Sequence, residues 1–221
     1  MTVSTRDPYR FAYREYAEAL YDALAEDAFY QTMEQSAQAS NPGREALLRY
    51  LDYSMQEAEE FGRLYFPDSH RYGVAIWSTP MDSQRATLCK QRKLDFLQQH
   101  MGDNSRSTYT SIVAFMSEQS DRLIDASAWY LSIVGILPAF QNRGLGRQMV
   151  EATLAEADRA GVDSFLETFV TRNEPFYERL GYRVIGRFHE PTIAAEYALM
   201  HRACETRRKP GRKPIGRAKS A

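Results

Sequence analysis

A glycine-containing turn is the first segment of this chain whose residue types and spacing suit chemistry. The segment QNRGLG, residues 141–146, lies between the apolar run WYLSIVGILPAF and the helical pattern LGRQMVEATLAEADRAG. The first N–H groups of a helix have no partner within the helix and, together with the helix dipole, favour an anion. Gly144 and Gly146 would let the anion's oxygens come close, and Arg143 and Arg147 add positive charge. The segment is therefore either a phosphate cradle or an ordinary strand-to-helix turn.

The two common nucleotide-binding motifs do not fit this turn. Its spacing is not GxGxxG, and no acidic residue ends a second strand ~20 residues later to bind a ribose. No GK[ST] follows the glycines, which disfavours a Walker sequence. Gln141 could equally cap the following helix. The residues of the turn thus predict an anion site without identifying its ligand.

Alternating strands and helices in the second half of the chain would position the turn. AWYLSIVGI is rich in β-branched and aromatic residues, which predicts a strand that ends before Pro138. The helix after the turn has Gly161 as its C′ residue, and DSFLETFV predicts the next strand. NEPFYERLG predicts a short helix with Asn173 as N-cap, Pro175 in its first turn and Gly181 beyond its end. YRVIGRF and AAEYALMHR predict two last strands.

The first half of the chain is mainly helical. YRFAYREYAEALYDALAEDAF has apolar residues roughly three to five apart, which predicts an amphipathic helix pair or one long helix. SNPGREALLRYLDYSMQEAEEFG predicts a further helix that stops at Gly62. RLYFP and YGVAIWST predict short strands separated by the turn-like DSHR, and residues 83–120 predict helix broken at GDNS. The predicted fold class is therefore α+β, without an internal repeat.

Two linked motifs resemble one enzyme superfamily. Gln141-x-x-Gly144-x-Gly146 after a strand, with PFYERLGY some thirty residues downstream, resembles the GNAT superfamily of acetyl-CoA-dependent N-acetyltransferases. FLET, RNEPFYERLG and YGVAIWSTP are most similar to the puromycin N-acetyltransferase-like branch of that superfamily. The detailed match covers residues 128–186 and parts of 72–80, and the order of elements agrees over most of the rest.

This resemblance implies the fold, the co-substrate and the residues that hold it. It implies a central mixed, splayed β-sheet flanked by helices, in a single domain of residues 1–204 with a CoA-binding core at about 126–202. The co-substrate would be acetyl-CoA, without a metal. The implied cofactor-binding residues are Val134, Gly135 and Ile136 in the strand that pairs with pantetheine, Gln141, Arg143, Gly144, Leu145, Gly146 and Arg147 in the pyrophosphate turn, and Asn173, whose side chain would contact CoA.

A tyrosine and a carboxylate are the candidate catalytic residues. Tyr177 matches the family tyrosine beside the thioester sulfur, which serves as general acid, and a phenol with pKa about 10 keeps its proton at neutral pH. Glu167, at the end of a strand that faces the implied cleft, is a candidate base or amine-binding carboxylate. Alternatively, Tyr177 is a core aromatic residue and Glu167 a structural carboxylate. Of Trp129 and Tyr130, one should face away from the substrate, because adjacent strand residues point to opposite sides.

Composition limits the other classes of function. The chain has 221 residues, of which 43% are hydrophobic and 26% charged, as in ordinary soluble proteins. No apolar run approaches the ~18–20 residues that span a bilayer, and MTVSTRDPYR lacks the apolar core of a signal peptide, so a cytoplasmic protein is expected. Two cysteines without CxxC pairing and four scattered histidines predict neither a disulfide framework nor a metal site.

The last residues differ in charge from the body of the chain. Residues 206–221 contain seven Lys or Arg and no acid, which leaves 21 basic against 29 acidic residues in the rest. We expect residues 205–221 to form a disordered, solvated tail. A loose resemblance to an AT-hook leaves nucleic-acid tethering or nuclear import as the less favoured interpretation.

The predicted function is transfer of acetyl from acetyl-CoA to the primary amine of a small molecule, by direct attack in a ternary complex. Neither cysteine lies in a motif that would favour an acyl-enzyme. Two alternatives remain: acetylation of a protein amine such as a histone lysine, and a non-catalytic acyl-CoA sensor that tethers to DNA by its tail. The identity of the acceptor amine and the formation of a homodimer stay open.

Overall fold

The structure, a computed structural model, describes residues 9–38, 43–67 and 72–207. These residues form seven α-helices and six β-strands. The helices are α1 (Arg14–Ala23), α2 (Ala28–Ser36), α3 (Gly43–Phe61), α4 (Ser83–His100), α5 (Asp103–Ser120), α6 (Leu145–Ala160) and α7 (Glu174–Arg179). The strands are β1 (Gly62–Tyr65), β2 (Gly73–Ser78), β3 (Trp129–Ile136), β4 (Ser164–Thr168), β5 (Arg183–Glu190) and β6 (Ala195–Arg202). The predicted turn DSHR lies outside the described residues.

The six strands form one mixed sheet in the order β1-β2-β3-β4-β6-β5. β3 and β4 run parallel, whereas every other neighbouring pair is antiparallel. β3 and β4 pair only at their first residues, Trp129 with Ser164 and Tyr130 with Phe165. Beyond Tyr130 the two strands separate and leave a gap in the middle of the sheet. The predicted α+β fold with a mixed, splayed sheet is confirmed.

A β-bulge bends β3 where the gap begins. Leu131 pairs with Trp77 and Ile133 with Ile76, so Ser132 is an extra residue on β3. The Ser132 hydroxyl donates a hydrogen bond to the Ile76 carbonyl at 3.1 Å. Because a bulge bends its strand and increases the local twist, it helps β3 to diverge from β4 at this point.

The first helical segment is a pair of helices rather than one long helix. Asp27 separates α1 from α2, and its carboxylate accepts a hydrogen bond from the Phe29 N–H at 2.9 Å as N-cap of α2. α1 packs closely on β3, since a methyl group at Gly135 would lie 2.8 Å from the Leu20 side chain. The helix pair therefore lies against the central strands and carries Asp27 to the gap.

The next three helices confirm the breaks predicted from the sequence. α3 ends at Phe61, and β1 begins at Gly62. α4 and α5 are separated at Gly102, whose φ of 105° favours glycine. Asp82 caps α4 by accepting a hydrogen bond from the Arg85 N–H at 2.9 Å. No helix in residues 9–38, 43–67 and 72–207 is long and apolar enough to cross a membrane.

α6 covers the second half of the sheet. Its buried side includes Met149 and Leu154, and the helix ends at Gly161 in the left-handed conformation, as predicted. Arg202 on β6 donates two hydrogen bonds to Asp158 of α6, at 2.8 and 2.7 Å. The Glu205 N–H also donates to Asp158, at 2.7 Å, and Glu205–Arg207 forms a 3₁₀ turn. Ordered structure therefore extends past residue 204, and the rest of the predicted tail, residues 208–221, lies outside the described residues.

Candidate active site

The gap between β3 and β4 opens into a cavity of ≈ 370 Å³. Residues of β2, β3 and β4 line it on the sheet side, and residues of α2, α3, α4, α5 and α7 line the rest. Beyond Tyr130 the edge of β3 that faces the gap has no partner strand. Backbone N–H and C=O groups on such an edge can pair with an extended ligand that carries amides.

The glycine-containing turn lies at the start of α6, next to the end of β3. Asn142 and Gly144 have positive φ values of 61° and 77°, so the chain turns sharply before the helix. No backbone carbonyl in the described loops accepts a hydrogen bond from the N–H groups of residues 142–147. Residues 141–144 are exposed, and the first N–H groups of α6 are free of intrahelical partners. This geometry can bind an anion at the helix N-terminus.

The two glycines of the turn are needed for different reasons. A methyl group at Gly144 would meet no atom within 4 Å, but its φ of 77° favours glycine. At Gly146 a methyl group would lie 3.0 Å from Ile136 Cδ1 and 3.2 Å from Phe176 Cε2. Gly146 thus allows α6 to pack closely on β3 and α7. The structural and the anion-binding interpretations of this turn are therefore compatible.

Comparisons with known proteins agree with this geometry. Residues 108–184 match the family model described as the acetyltransferase (GNAT) domain. A histone acetyltransferase HPA2 and related acetyltransferase from Corynebacterium glutamicum superposes with a TM-score of 0.57 at 17% identity, over 90% of this chain and 94% of the other. Mosquito arylalkylamine N-acetyltransferase like 5b gives a TM-score of 0.57 at 13% identity, over 88% and 98%. The Drosophila melanogaster polyamine N-acetyltransferase gives 0.57 at 11% identity, over 87% and 96%.

The fold is that of the GNAT acetyltransferases. The match of residues 108–184 to the acetyltransferase (GNAT) domain model indicates an acyltransferase enzyme. In this GNAT fold, the turn at residues 141–146 lies between the end of β3 and the start of α6, and the cavity lies at the gap between β3 and β4. The cavity therefore extends from the splayed strands towards the helices of the first half.

Tyr177 lies on α7 and lines the cavity of the GNAT fold. Its side chain is 7% exposed, and the centroid of its ring lies 5.1 Å from that of Phe176 and 6.3 Å from that of Tyr182. Burial raises the pKa of the Tyr177 hydroxyl well above its ordinary value, and the nearby Asp27 carboxylate raises it further. The phenol therefore keeps its proton at neutral pH, as a proton donor must.

Glu167 lies on β4 across the sheet gap and lines the same cavity. The Tyr130 hydroxyl donates a hydrogen bond to Glu167 Oε2 at 3.0 Å. The other oxygen, Oε1, is buried and has no hydrogen-bond partner within the described chain. Burial raises the pKa of the Glu167 carboxyl to about 7, and the hydrogen bond from Tyr130 offsets only part of this rise. A carboxyl with this pKa can both accept and release a proton near neutral pH.

The two aromatic residues at the start of β3 point to opposite sides, as predicted. Tyr130 lines the cavity and stacks on Phe165, with ring centroids 4.7 Å apart. Trp129 does not line the cavity, and the Arg63 guanidinium lies 5.5 Å from its ring centroid. Tyr130 is therefore the member of the pair that orients Glu167.

Asn173 and Gln141 do not cap the helices that follow them. Asn173 directly precedes α7 and lines the cavity, but its side chain makes no capping hydrogen bond and its backbone is already helical. Gln141 instead donates a hydrogen bond from Nε2 to the Ile136 carbonyl at 3.0 Å. The predicted capping interactions are thus wrong for both side chains. Asn173 remains free to contact a ligand in the gap, whereas Gln141 fixes the turn to the end of β3.

The other predicted cofactor-binding residues surround the gap. Val134 lines the cavity on β3, and Gly135 and Ile136 continue that strand towards the turn. Arg143 lies over the Phe140 ring, with its guanidinium carbon 5.4 Å from the centroid, and Arg147 is exposed. Leu145 is the first residue of α6. The binding roles assigned to these residues stay predictions.

Asp27 and Tyr30 belong to the cavity but were not identified from the sequence. Both line it from the start of α2. Burial raises the pKa of the Asp27 carboxyl to about 6, although two backbone N–H groups of α2 lower it. Asp27 was part of an amphipathic pattern in the sequence, and its capping position before AFYQ was the available signal.

A second polar group lies on the far wall of the cavity, where α3 and α4 meet. Lys93 Nζ is 3.0 Å from Glu57 Oε2 and donates to Ser54 Oγ at 3.2 Å. Tyr50, Ser54 and Glu57 continue the buried side of α3 at helical spacing, which was the available signal in the sequence. In the described residues, no group of His, Cys, Asp and Glu has the arrangement of a metal site.

Proposed function

We propose that this chain is an acetyl-CoA-dependent N-acetyltransferase that transfers acetyl to the primary amine of a small molecule by direct attack in a ternary complex. The observation that carries this proposal is that Tyr177 and Glu167 line one cavity at the end of the β3–β4 gap. One residue keeps its proton at neutral pH, and the other exchanges it near pH 7. A protonated group and a group that exchanges a proton near neutral pH can serve as acid and base in one site.

The residues along the gap fit acetyl-CoA. The free N–H groups at residues 142–147 suit its pyrophosphate, and the unpaired edge of β3 suits the amides of its pantetheine arm. Asn173 lies where the gap meets the cavity and would contact the same arm. When bound, acetyl-CoA supplies an activated acetyl thioester. Holding two reactants together in this way can supply about 7–11 kcal/mol of the barrier.

The protein residues would handle the protons of the reaction. The Glu167 carboxylate would bind the acceptor ammonium and take up one proton, which leaves the nitrogen lone pair free to attack the thioester carbon. As the C–S bond breaks, Tyr177 would donate its phenolic proton to the departing sulfur, and the nitrogen, which is positively charged after the attack, would return its second proton to the Tyr177 oxygen. A backbone N–H on the unpaired edge of β3 would donate to the carbonyl oxygen as negative charge develops there. Glu167 and Tyr177 both line the cavity, and the edge of β3 beyond Tyr130 has no partner strand.

The proposed acceptor is a small molecule rather than a protein lysine. The acceptor end of the cavity lies among α2, α3, α4 and α5, and its volume of ≈ 370 Å³ is within the ordinary range for small-molecule sites. The polyamine and arylalkylamine enzymes named above share the fold and act on small amines, which supports this choice. The sequence resemblance to the puromycin N-acetyltransferase-like branch points in the same direction.

Release of the CoA thiol with a panel of amines tests the proposal. Tyr177→Phe should lower kcat by roughly 10²–10⁴-fold, because it removes the proton donor. Tyr182→Phe is the matched control: this buried tyrosine contacts Tyr177 but bonds to Ser164 at 2.9 Å and lies outside the cavity. Undiminished turnover of Tyr177→Phe would refute the role of general acid.

Two further outcomes would replace the proposal. If acetyl-CoA binds but no amine releases thiol, the chain is better described as an acyl-CoA sensor. If only peptides that contain lysine react, the acceptor is a protein. Deletion of residues 208–221 separates these cases from tail-dependent tethering, because a small-molecule enzyme should keep its turnover. A cytoplasmic location stays a prediction.

A further inference from the structure

Three side chains form a stack beside the glycine-containing turn, and the proposed acetyl transfer does not account for it. The rings of Tyr72 and Phe140 have centroids 5.6 Å apart and an interplanar angle of 21°. The Arg143 guanidinium carbon lies over the Phe140 ring, 5.4 Å from its centroid. The stack therefore begins at Tyr72, directly before β2, and ends in a positive charge within the turn.

The core of the protein fixes one end of this stack. Tyr72 is 8% exposed and belongs to the buried cluster that includes Met149 and Val150 of α6. Its carbonyl accepts a hydrogen bond from the Leu137 N–H at 2.7 Å, and the Phe140 N–H donates to the Leu137 carbonyl at 2.8 Å. The Phe140 ring is therefore held against a rigid surface, although residues 141–144, which follow it, are exposed.

The two arginines of the turn have different partners. Arg147 donates a hydrogen bond from Nε to Glu151 Oε1, one helical turn later on α6. The Arg143 guanidinium donates no hydrogen bond and has no carboxylate partner within residues 9–38, 43–67 and 72–207. Its contact with Phe140 uses the positive charge and the ring face, so its five N–H donors remain available. Arg143 is thus the arginine of the turn that can give its hydrogen bonds to an anion.

The stack reduces what Arg143 loses when it binds a ligand. A long, exposed side chain gives up rotamer freedom on binding, and this loss of entropy weakens the affinity. A contact with a ring that is itself fixed restricts the Arg143 side chain before the ligand arrives. Cation–π contacts at exposed sites are weak, so loss of the ring should change the affinity by about two- to five-fold.

We propose that Phe140 is a positioning residue that holds the Arg143 guanidinium in place to bind a phosphate group of acetyl-CoA. The inference rests on the proposed function and specifies which side chains recognise the charged end of its co-substrate. Phe140 does not line the cavity and acts through Arg143 alone. Arg147, which is already paired with Glu151, contributes its backbone N–H rather than its charge.

A thioester without phosphates tests this role. S-acetylpantetheine carries the acetyl group and the amide arm of acetyl-CoA but lacks all of its phosphate groups. The measured quantity is the ratio of kcat/KM for acetyl-CoA to kcat/KM for S-acetylpantetheine, with one amine as acceptor. Phe140→Leu should lower this ratio about two- to five-fold, because it removes the ring and keeps an apolar side chain. A general loss of structure would lower both values together, and an unchanged ratio would overturn the proposal.

Further variants assign the change to the contact between Phe140 and Arg143. Arg143→Gln should lower the ratio about tenfold, because it removes the charged donors to the phosphate. Adding Phe140→Leu to Arg143→Gln should lower the ratio no further, and an additive loss would refute the positioning role. Phe140→Tyr keeps a ring face and should keep the wild-type ratio. The control variant Phe188→Leu removes a half-buried ring from β5, at the far edge of the sheet, and should also keep it.

Binding in the absence of an amine separates this inference from the proposed function. Isothermal titration should give Phe140→Leu a Kd for acetyl-CoA about two- to five-fold above that of wild type. If no amine releases thiol but this difference in Kd persists and requires Arg143, the proposed function fails and the role of Phe140 stands. If acetyl transfer occurs and Phe140→Leu has the wild-type Kd and ratio, the proposed function stands and the inference is wrong.

Discussion

Replacing Glu167 with glutamine should stabilise the folded protein above neutral pH while it removes the proposed base. Burial raises the pKa of this carboxyl from 4.5 to about 7, and its Oε1 atom has no hydrogen-bond partner among the described residues. At 1.36 kcal/mol per pKa unit, folding disfavours the ionised form by about 3 kcal/mol. Glutamine keeps the shape and can still accept the hydrogen bond from Tyr130, but it has no charge to bury.

The sign of the pH dependence follows from the direction of the pKa change. The folded protein binds this proton more tightly than the unfolded chain does, so the carboxyl lowers the free energy of unfolding as pH rises from about 4.5 to about 7. The glutamine variant lacks this dependence. Its gain in stability over wild type should therefore be near zero below about pH 4.5 and reach about 3 kcal/mol above about pH 8.

Urea unfolding at a series of pH values measures this gain. Glu178→Gln, which changes an exposed glutamate on α7, is the control and should follow wild type at every pH. A gain for Glu167→Gln that is the same at all pH values would show that packing, not ionisation, is responsible. A loss of stability at about pH 8 would show that the carboxylate is satisfied in the folded state, and would refute the reasoning.

Other changes test the remaining parts of the site. In wild type, kcat/KM should increase with pH around pH 7, because Glu167 loses its proton there. The Glu167→Gln variant should lack this increase, and its kcat/KM should be about 10²–10⁴-fold lower. Gly146→Ala places a methyl group 3.0 Å from a β3 side chain, so thermal unfolding should show a loss of about 1–3 kcal/mol. Arg187→Met leaves buried Glu174 without its hydrogen bonds of 2.9 and 2.7 Å, which connect α7 to β5. Because α7 carries Tyr177, kcat should fall several-fold in steady-state assays. Deletion of residues 208–221 should leave turnover in the same assays unchanged.

The local structure of the proposed cofactor end, a turn followed by a helix and a second short helix, could be predicted from sequence because its determinants are local. Residues 141–146 and the helix that starts at Glu174 are each a short continuous segment whose glycines and prolines fix the backbone. The splayed gap depends on how far β3 pairs with β4, and the mixed, splayed sheet was expected only from the family resemblance, not from the pattern of elements. The prediction for Gln141 was wrong because its side-chain amide donates to the nearby Ile136 carbonyl instead, and the prediction for Asn173 was wrong because its backbone is already helical and its side chain makes no capping hydrogen bond.

The acceptor end could not be predicted because its residues come from three separate helices. Asp27, Tyr50, Glu57 and Lys93 meet only when α2, α3 and α4 have packed against the sheet. Charged residues in amphipathic helices are usually exposed, so their residue types argued against an interior position for Glu57 and Lys93. Only the helical spacing of Glu57 relative to the buried residues of α3 indicated that it could face the interior. Such spacing is common in helices that pack on ordinary cores.

Buried polar atoms without a hydrogen-bond partner do not by themselves mark the ligand site of this fold. Among the described residues, Glu57 Oε1, Glu167 Oε1 and Trp77 Nε1 belong to residues that line the cavity, whereas Arg49 Nε, Glu190 Oε1 and Tyr197 OH belong to residues outside it. Such atoms cost stability wherever they lie. The gap between β3 and β4, with Glu167 and Tyr177 in one cavity beside it, is therefore the stronger indication of where a ligand binds.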